Sequence, residues 1–309
     1  MFAASSQRAI VASLLLTVFI WGANNTGVKV LVTTWPPGWV ASTRFICAGL
    51  LMLALMRFTD WLGPTSTIST NVQHKLWLRG GLGLAAYILV FNLAVRYTSA
   101  SHVTLYLAAS PVWALLWEKG LTKGSVAARL QAWIATALTV AGVAVLLWPA
   151  IETTHASAAG ELLGFACSIL WTNYGRQCKV LGANLTGAEI AAHTMLRAGL
   201  WLVPLAVLET ALIELKWRVD LVFVQAYCVV VGGVVGFTLW SHALRKWHTS
   251  QVYLFVNLVP ITTMFWGRVL LKEPVTPTFW LALVLVVSGV LISQANWEKF
   301  IGARWPAPE

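Results

Sequence analysis

Acidic residues are scarce in this chain. Only 11 Asp and Glu stand among 309 residues, against 21 Lys and Arg, and charged residues of both signs make up 10%. Soluble domains carry about 25%, so an ordinary water-exposed surface is excluded. The four cysteines, Cys47, Cys167, Cys178 and Cys228, all lie in apolar runs at unrelated spacings. That pattern fits neither a disulfide framework nor a metal site. Catalytic signatures are missing too: there is no His-Glu-x-x-His, no Gly-x-Ser-x-Gly and no Gly-x-x-x-x-Gly-Lys-Ser/Thr. No enzyme, cofactor or metal is expected. Basic runs interleaved with aromatics are absent from any segment long enough to sit in water, so the net charge of +10 implies no nucleic-acid partner. The longest polar break, 59–74, is a loop rather than a domain.

What the chain has is apolar length. Hydrophobic residues make up 58% and mean hydropathy is +0.74. Segments of about 20 apolar residues, enough to cross the hydrocarbon core as helix, recur between short breaks. Ten are read, at 9–32, 38–57, 76–96, 102–119, 130–149, 160–180, 186–208, 222–243, 250–271 and 276–295. The expected fold class is all-α integral membrane, with ten transmembrane helices and the lipid bilayer as partner. Arg8 and the apolar run after it resemble the front of a signal peptide. The run continues through Trp21-Gly22-Ala23-Asn24-Asn25 without a small-x-small cleavage site, so it is expected to stay as the first span.

The segments also repeat. Leu93 to Pro111 (LAVRYTSASHVTLYLAASP) lies over His242 to Pro260 (HALRKWHTSQVYLFVNLVP) at one offset of 149 residues, without gaps. Ala94, Arg96, Ser101, Val103 and Leu105 meet identical residues, and Tyr106 meets Phe255. At an offset of 150, Trp21 to Lys29 lies over Trp171 to Lys179. The chain therefore divides into two five-helix units, 1–150 and 151–309. Five is odd, so the second unit must enter from the opposite side, and the repeats are inverted. Such halves commonly enclose a transport site.

Orientation follows from Lys and Arg near the helix ends. With the N-terminus inside, thirteen fall inside (Arg8, Arg57, Lys75, Arg79, Lys119, Lys123, Arg129, Arg176, Lys179, Arg245, Lys246, Lys299, Arg304) and six outside (Lys29, Arg96, Lys216, Arg218, Arg268, Lys272). Both termini are expected in the cytoplasm, in a bacterial inner membrane.

Candidate site residues are polar or aromatic groups in these helices. Tyr106, Ser110, Trp113 and Trp117 share one face of segment 4, and Trp117 corresponds to Trp266 in segment 9. Trp21, Asn24 and Asn25 share a face of segment 1; Trp171, Tyr174 and Cys178 share one of segment 6. Tyr87 and Trp240 complete the aromatic set. For Trp21, Trp113, Trp171 and Trp240, cavity lining competes with core packing; for Trp at segment ends, such as Trp35, Trp39 and Trp217, the interfacial belt is the reading. Adjacent amides at Asn24 and Asn25 need partners in hydrocarbon. Arg44 and Arg197 are costly there and mark function by default, against snorkelling for Arg44 and a Glu189–His193–Arg197 network for Arg197. Glu118 and His193 are the candidates for proton coupling. His102 and His242, near helix ends, are read as structural. Pro111 and Pro260, at one repeat position, are candidate hinges, against static kinks. Gly232-Gly233-x-x-Gly236 is read as close helix packing.

Taken in order, Trp21-Gly22, Thr43-Arg44-Phe45, Tyr97-Thr98-Ser99-Ala100, Ser110-Pro111, Val259-Pro260, Leu270-Leu271-Lys272-Glu273 and Ser288-Gly289-Val290 resemble the drug/metabolite transporter superfamily, in its ten-helix EamA-domain branch. The resemblance spans nearly the whole chain. It implies a 5+5 inverted-repeat carrier whose cavity is lined mainly by helices 1 to 4 and 6 to 9, with helices 5 and 10 peripheral. Two positions depart from the pattern: Gly124 stands where the second half has Glu273, and Ala282 replaces a common glycine.

The expected function is secondary-active transport, as an exporter, of a small organic metabolite by alternating access. Aromatics together with intramembrane arginines favour an amino acid or amino-acid-like compound. A quaternary amine or drug-like cation over ring faces is the alternative, and a non-transporting receptor or scaffold is the alternative of another class. The protein is expected as a monomer or homodimer.

Overall fold

The computed structural model describes residues 2–63, 65–117, 125–153, 155–246 and 255–294. Among the described residues the chain runs as ten helical rods. They are α1 (Phe2–Thr34), α2 (Pro37–Phe58), α3 (Thr70–Tyr97), α4 (Ala100–Ala108 continued by Ser110–Trp117), α5 (Val126–Thr153), α6 (His155–Leu181), α7 (Gly187–Leu212), α8 (Val219–Tyr227, Cys228–Val235 and Gly236–Lys246), α9 (Phe255–Leu271) and α10 (Pro277–Gln294). Helix is the form that satisfies every backbone group within one segment, which hydrocarbon demands. Each rod overlaps one of the ten apolar segments.

Local chemistry sets the ends. Proline opens α2 at its first position, where no intrahelical N–H is lost. α7 starts on a capping box: Glu189 N donates to Thr186 Oγ1 (3.3 Å) and Thr186 N to Glu189 Oε2 (2.7 Å). Lys272 ends α9 in the left-handed region at φ 55°.

The packing has the symmetry of an inverted repeat. Exchanging α1–α5 with α6–α10 turns the α3/α6 contact into α8/α1, α4/α6 into α9/α1 and α3/α7 into α8/α2, and all six are present. The pairs α2/α7, α4/α9 and α5/α10 map onto themselves. The α2/α7 crossing shows this at atomic scale. A Cβ on Gly49 would lie 2.5 Å from Leu196 N, and one on Gly199 would lie 2.7 Å from Ile46 N. Gly49 and Gly199 are 150 residues apart, and so are Ile46 and Leu196, so the two contacts are one contact seen twice. The fold is two inverted five-helix repeats.

Backbone irregularities repeat as well. α4 breaks at Ala109 (φ −75°, ψ −9°) and α9 at Leu258 (φ −84°, ψ −14°), equivalent positions 149 residues apart. Pro111 and Pro260 therefore sit within the first turn of a fresh helical segment, where a proline removes no needed hydrogen bond. α3 is π-helical over Leu76–Gly81 and α8 over Cys228–Val235, stretches that overlap under the same offset.

Candidate functional site

α1, α2 and α8 meet around a cavity of about 60 Å³ lined by Trp21, Asn24, Arg44, Phe45, Gly232 and Phe237, with Met195 of α7 closing one side. At about 10–15 Å³ per water, it holds about four to six waters or the head group of a small zwitterion. Glycines let the helices approach. A side chain on Gly232 would collide with Asn24 Oδ1, and one on Gly236 would reach within 2.6 Å of Trp21 Nε1. Instead, Trp21 Nε1 donates to Gly232 O (3.2 Å), and its ring packs on Phe237 (5.4 Å) and Trp240 (5.2 Å).

Arg44 dominates the electrostatics. It is buried, its guanidinium lies 4.9 Å from the Phe45 ring centroid, and its Nη1 has no acceptor. Its polar neighbours are the Cys228 thiol and the Tyr87 hydroxyl; no carboxylate pairs with it among the described residues. Asn24 is half-buried beside it, and its amide makes no hydrogen bond among the described residues.

The repeat supplies an internal comparison. At an offset of 150, Trp21 corresponds to Trp171, Asn24 to Tyr174 and Arg44 to Thr194; at 149, Gly236 corresponds to Tyr87. In the second half, Tyr174 and Thr194 satisfy each other through a 2.8 Å hydroxyl–hydroxyl hydrogen bond. Trp171 lies 4.9 Å from Tyr87 and 5.6 Å from Tyr174. One of the two symmetry-related sites thus fills these positions with a closed aromatic cluster. The other leaves a cation and an amide facing a cavity.

Several sequence candidates sit elsewhere. Asn25 turns from the cavity and donates to Thr263 Oγ1 (3.3 Å) of α9. The face of α4 packs on α6: Tyr106 is fully buried with its ring against Gly164, Ser110 donates to Leu107 O (2.6 Å), and Trp113 Nε1 donates to Ser168 Oγ (2.9 Å). Trp117 is exposed under the Arg176 guanidinium (4.4 Å), and Trp266 donates to Phe19 O (3.2 Å). Arg197 lies at the α3/α7 contact. It donates to Gln73 Oε1 and to His193 O (3.0 Å), meets His193 Nδ1 at 3.2 Å, and stands 5.4 Å from the Trp77 ring. Glu189 is not its partner, because the capping box and the backbone N and side chain of Ser66 occupy that carboxylate. The structure therefore does not bring Arg197 or His193 to the cavity. Glu118 lies outside the described residues. Trp35, read as a belt residue, is buried instead and donates to Lys216 O (3.0 Å).

Sequence reasoning also missed a polar cluster away from the cavity. Lys29 pairs with Glu273 (3.0 Å) and donates to Thr98 O (2.6 Å), while His102 Nδ1 meets Glu161 Oε1 (2.7 Å). Glu161 is a lone acid in an otherwise apolar stretch of α6, which was the available signal.

Comparison with known proteins agrees with this architecture. The sequence profile of the EamA-like transporter family matches residues 8–148 and again residues 158–294. An uncharacterized transporter of Archaeoglobus fulgidus is 25% identical over 294 residues, covering 93% of this chain and 97% of that protein. A probable amino-acid metabolite efflux pump of Escherichia coli strain K12 is 24% identical over 301 residues, covering 93% and 96%. The uncharacterized inner membrane transporter YedA of the same strain is 23% identical, covering 91% and 89%. A solved crystal structure shares the fold at TM-score 0.59 and 17% identity, covering 96% of this chain and 99% of that one.

Proposed function

Because the chain belongs to the EamA-like transporter family, we propose that it exports an amino acid or amino-acid-like metabolite by alternating access through the central cavity. The observation that carries the substrate class is Arg44: a buried guanidinium with an unsatisfied Nη1, beside an unengaged Asn24 amide. A carboxylate supplies the missing acceptor, and guanidinium binds it in bidentate fashion. Trp21 and Phe237 offer ring surface in the same cavity, Trp240 backs Trp21, and Tyr87, a neighbour of Arg44, joins Trp171 and Tyr174 in an aromatic cluster. A relative described as a probable amino-acid metabolite efflux pump supports the same reading. Because the cavity has room for a head group only, a large side chain would be accommodated as the halves rearrange, with the breaks before Pro111 and Pro260 as hinges.

A quaternary amine is the rival ligand for the ring faces. It fits Arg44 poorly: two unit charges about 5 Å apart at an effective dielectric of about 20 repel by about 3 kcal/mol. A zwitterion avoids this by placing its carboxylate between its ammonium and Arg44. The deciding experiment uses proteoliposomes loaded with radiolabelled L-phenylalanine or its decarboxylated amine, phenethylamine. Release of the amino acid but not the amine is expected; the reverse preference would replace this reading with the cation carrier.

The aromatic cluster leads to a second expectation. Trp171→Ala should weaken amino-acid binding by about 0.5–2 kcal/mol, roughly two- to thirtyfold, with thermal stability nearly unchanged. Equal losses of binding and stability would make Trp171 a core residue.

We assign the repeats to residues 1–150 and 151–309, with both termini cytoplasmic in a bacterial inner membrane. Exposed loop positions test the orientation. In intact cells, a membrane-impermeant maleimide should label Glu214→Cys and spare Thr65→Cys; the opposite pattern would invert the topology.

A further inference from the structure

We propose that His102 and Glu161 form the proton-binding site through which this carrier couples export to an inward proton gradient, an inference that rests on the export reading above. Glu161 lies six residues into α6, about 9 Å from its start at 1.5 Å per residue, and is 1% exposed. One of its oxygens accepts from Thr98 Oγ1 and meets His102 Nδ1 at 2.7 Å, and the Tyr106 hydroxyl approaches the same carboxylate. His102 is 22% exposed, so the imidazole is the member of the pair that water reaches.

The surroundings favour a proton there. α1 and the α9–α10 turn bring Lys29 and Glu273, which neutralise each other at 3.0 Å. α10 brings the ring of Phe279, stacked 6.1 Å from His102. Arg96 and Tyr97, before α4, point to the exterior as exposed residues. On α4 itself, Tyr106 follows His102 by one turn and turns its buried hydroxyl toward the Glu161 carboxylate. The Glu161 charge is therefore balanced only when His102 carries a proton. An unbalanced anion at this depth is costly.

The fold does not require this chemistry. At the repeat offsets, Glu161 corresponds to Val11, Ser168 to Val18, Tyr106 to Phe255 and Ser110 to Val259. At these four positions the α9/α1 contact is apolar where its mate, α4/α6, carries a polar ladder. That ladder runs inward from His102 and Glu161 through Tyr106 and Ser110 to Ser168, which accepts from Trp113 Nε1 (2.9 Å). In the proposed cycle one proton moves from outer water onto the imidazole, which converts an anionic pair to a neutral one. The same proton leaves to inner water after the halves rearrange, in exchange for substrate.

Two measurements on the full chain decide it. Potentiometric titration should show one proton fewer taken up by the Glu161→Gln/His102→Gln double variant than by wild type. Equal uptake means a permanently charged structural pair and overturns the proposal. In proteoliposomes loaded with the twenty amino acids, an inward proton gradient should speed release by wild type at least about tenfold, or 1.4 kcal/mol. Glu161→Gln should release at one rate with or without the gradient. If that variant folds poorly, His102→Gln, whose amide can still donate to Glu161, takes its place. A gradient response retained in the variant, or missing in a wild type that does release amino acids, also overturns the proposal. Release of no amino acid at all would instead remove the substrate reading, and proton uptake alone would then decide the site.

Discussion

Arg44→Met should make the protein more stable and nearly abolish binding of a carboxylate ligand. The two effects share one cause. Arg44 is a buried cation with an unsatisfied Nη1 and no paired acid among the described residues. Replacing such a group with an apolar chain of similar length removes a desolvation cost, and gains of roughly 1–4 kcal/mol are typical where buried charges are replaced. The same change removes hydrogen bonds to a charged ligand, about 1.5–3 kcal/mol, or about 10- to 150-fold in affinity. Arg44→Lys keeps the charge but loses the planar fork, and should bind L-phenylalanine with intermediate affinity. Thermal unfolding in detergent and ligand titration on the same samples test both effects. A variant that loses stability and binding together would place Arg44 among the structural residues and sink the carboxylate site.

Gly49→Val and Gly199→Val should each prevent folding, and to a similar extent. At the α2/α7 crossing the helices touch backbone to backbone, so a Cβ meets Leu196 N in one case and Ile46 N in the other. Neither neighbour can rotate away as a side-chain tip could. Overpacking costs typically 1–3 kcal/mol when side chains can adjust; here, about 3 kcal/mol or more is expected because whole helices must separate. Monodisperse folded yield after solubilisation is the measurement. Gly83→Val, with open space around its Cβ, is the matched control and should fold normally. Normal yield from Gly49→Val would show that the crossing is looser than this geometry.

The number of helices and their inverted pairing were legible in the residues, because both rest on period and length, and the family was legible as a resemblance carried by motifs such as Trp21-Gly22 and Ser110-Pro111. Apolar runs must span as helix, a five-helix unit must invert when copied, and Trp21 and Trp171 mark the register. Asn24 and Arg44 could be singled out for the same reason: polarity in hydrocarbon is conspicuous in one dimension. Which way a side chain faces is not. Spacing placed Tyr106, Ser110, Trp113 and Trp117 on one stripe of α4, but only packing shows that this stripe meets α6. Arg197 looked as promising as Arg44, but its terminal nitrogens engage Gln73 and His193 at the α3/α7 contact, away from the cavity that Arg44 lines. Glu161 and His102 are 59 residues apart, and Lys29 and Glu273 are 244 apart. Their pairing depends on how α1, α4, α6 and the α9–α10 turn converge. Periodicity is a property of a single helix, whereas a site is a meeting of several, and only the tertiary structure decided which faces meet.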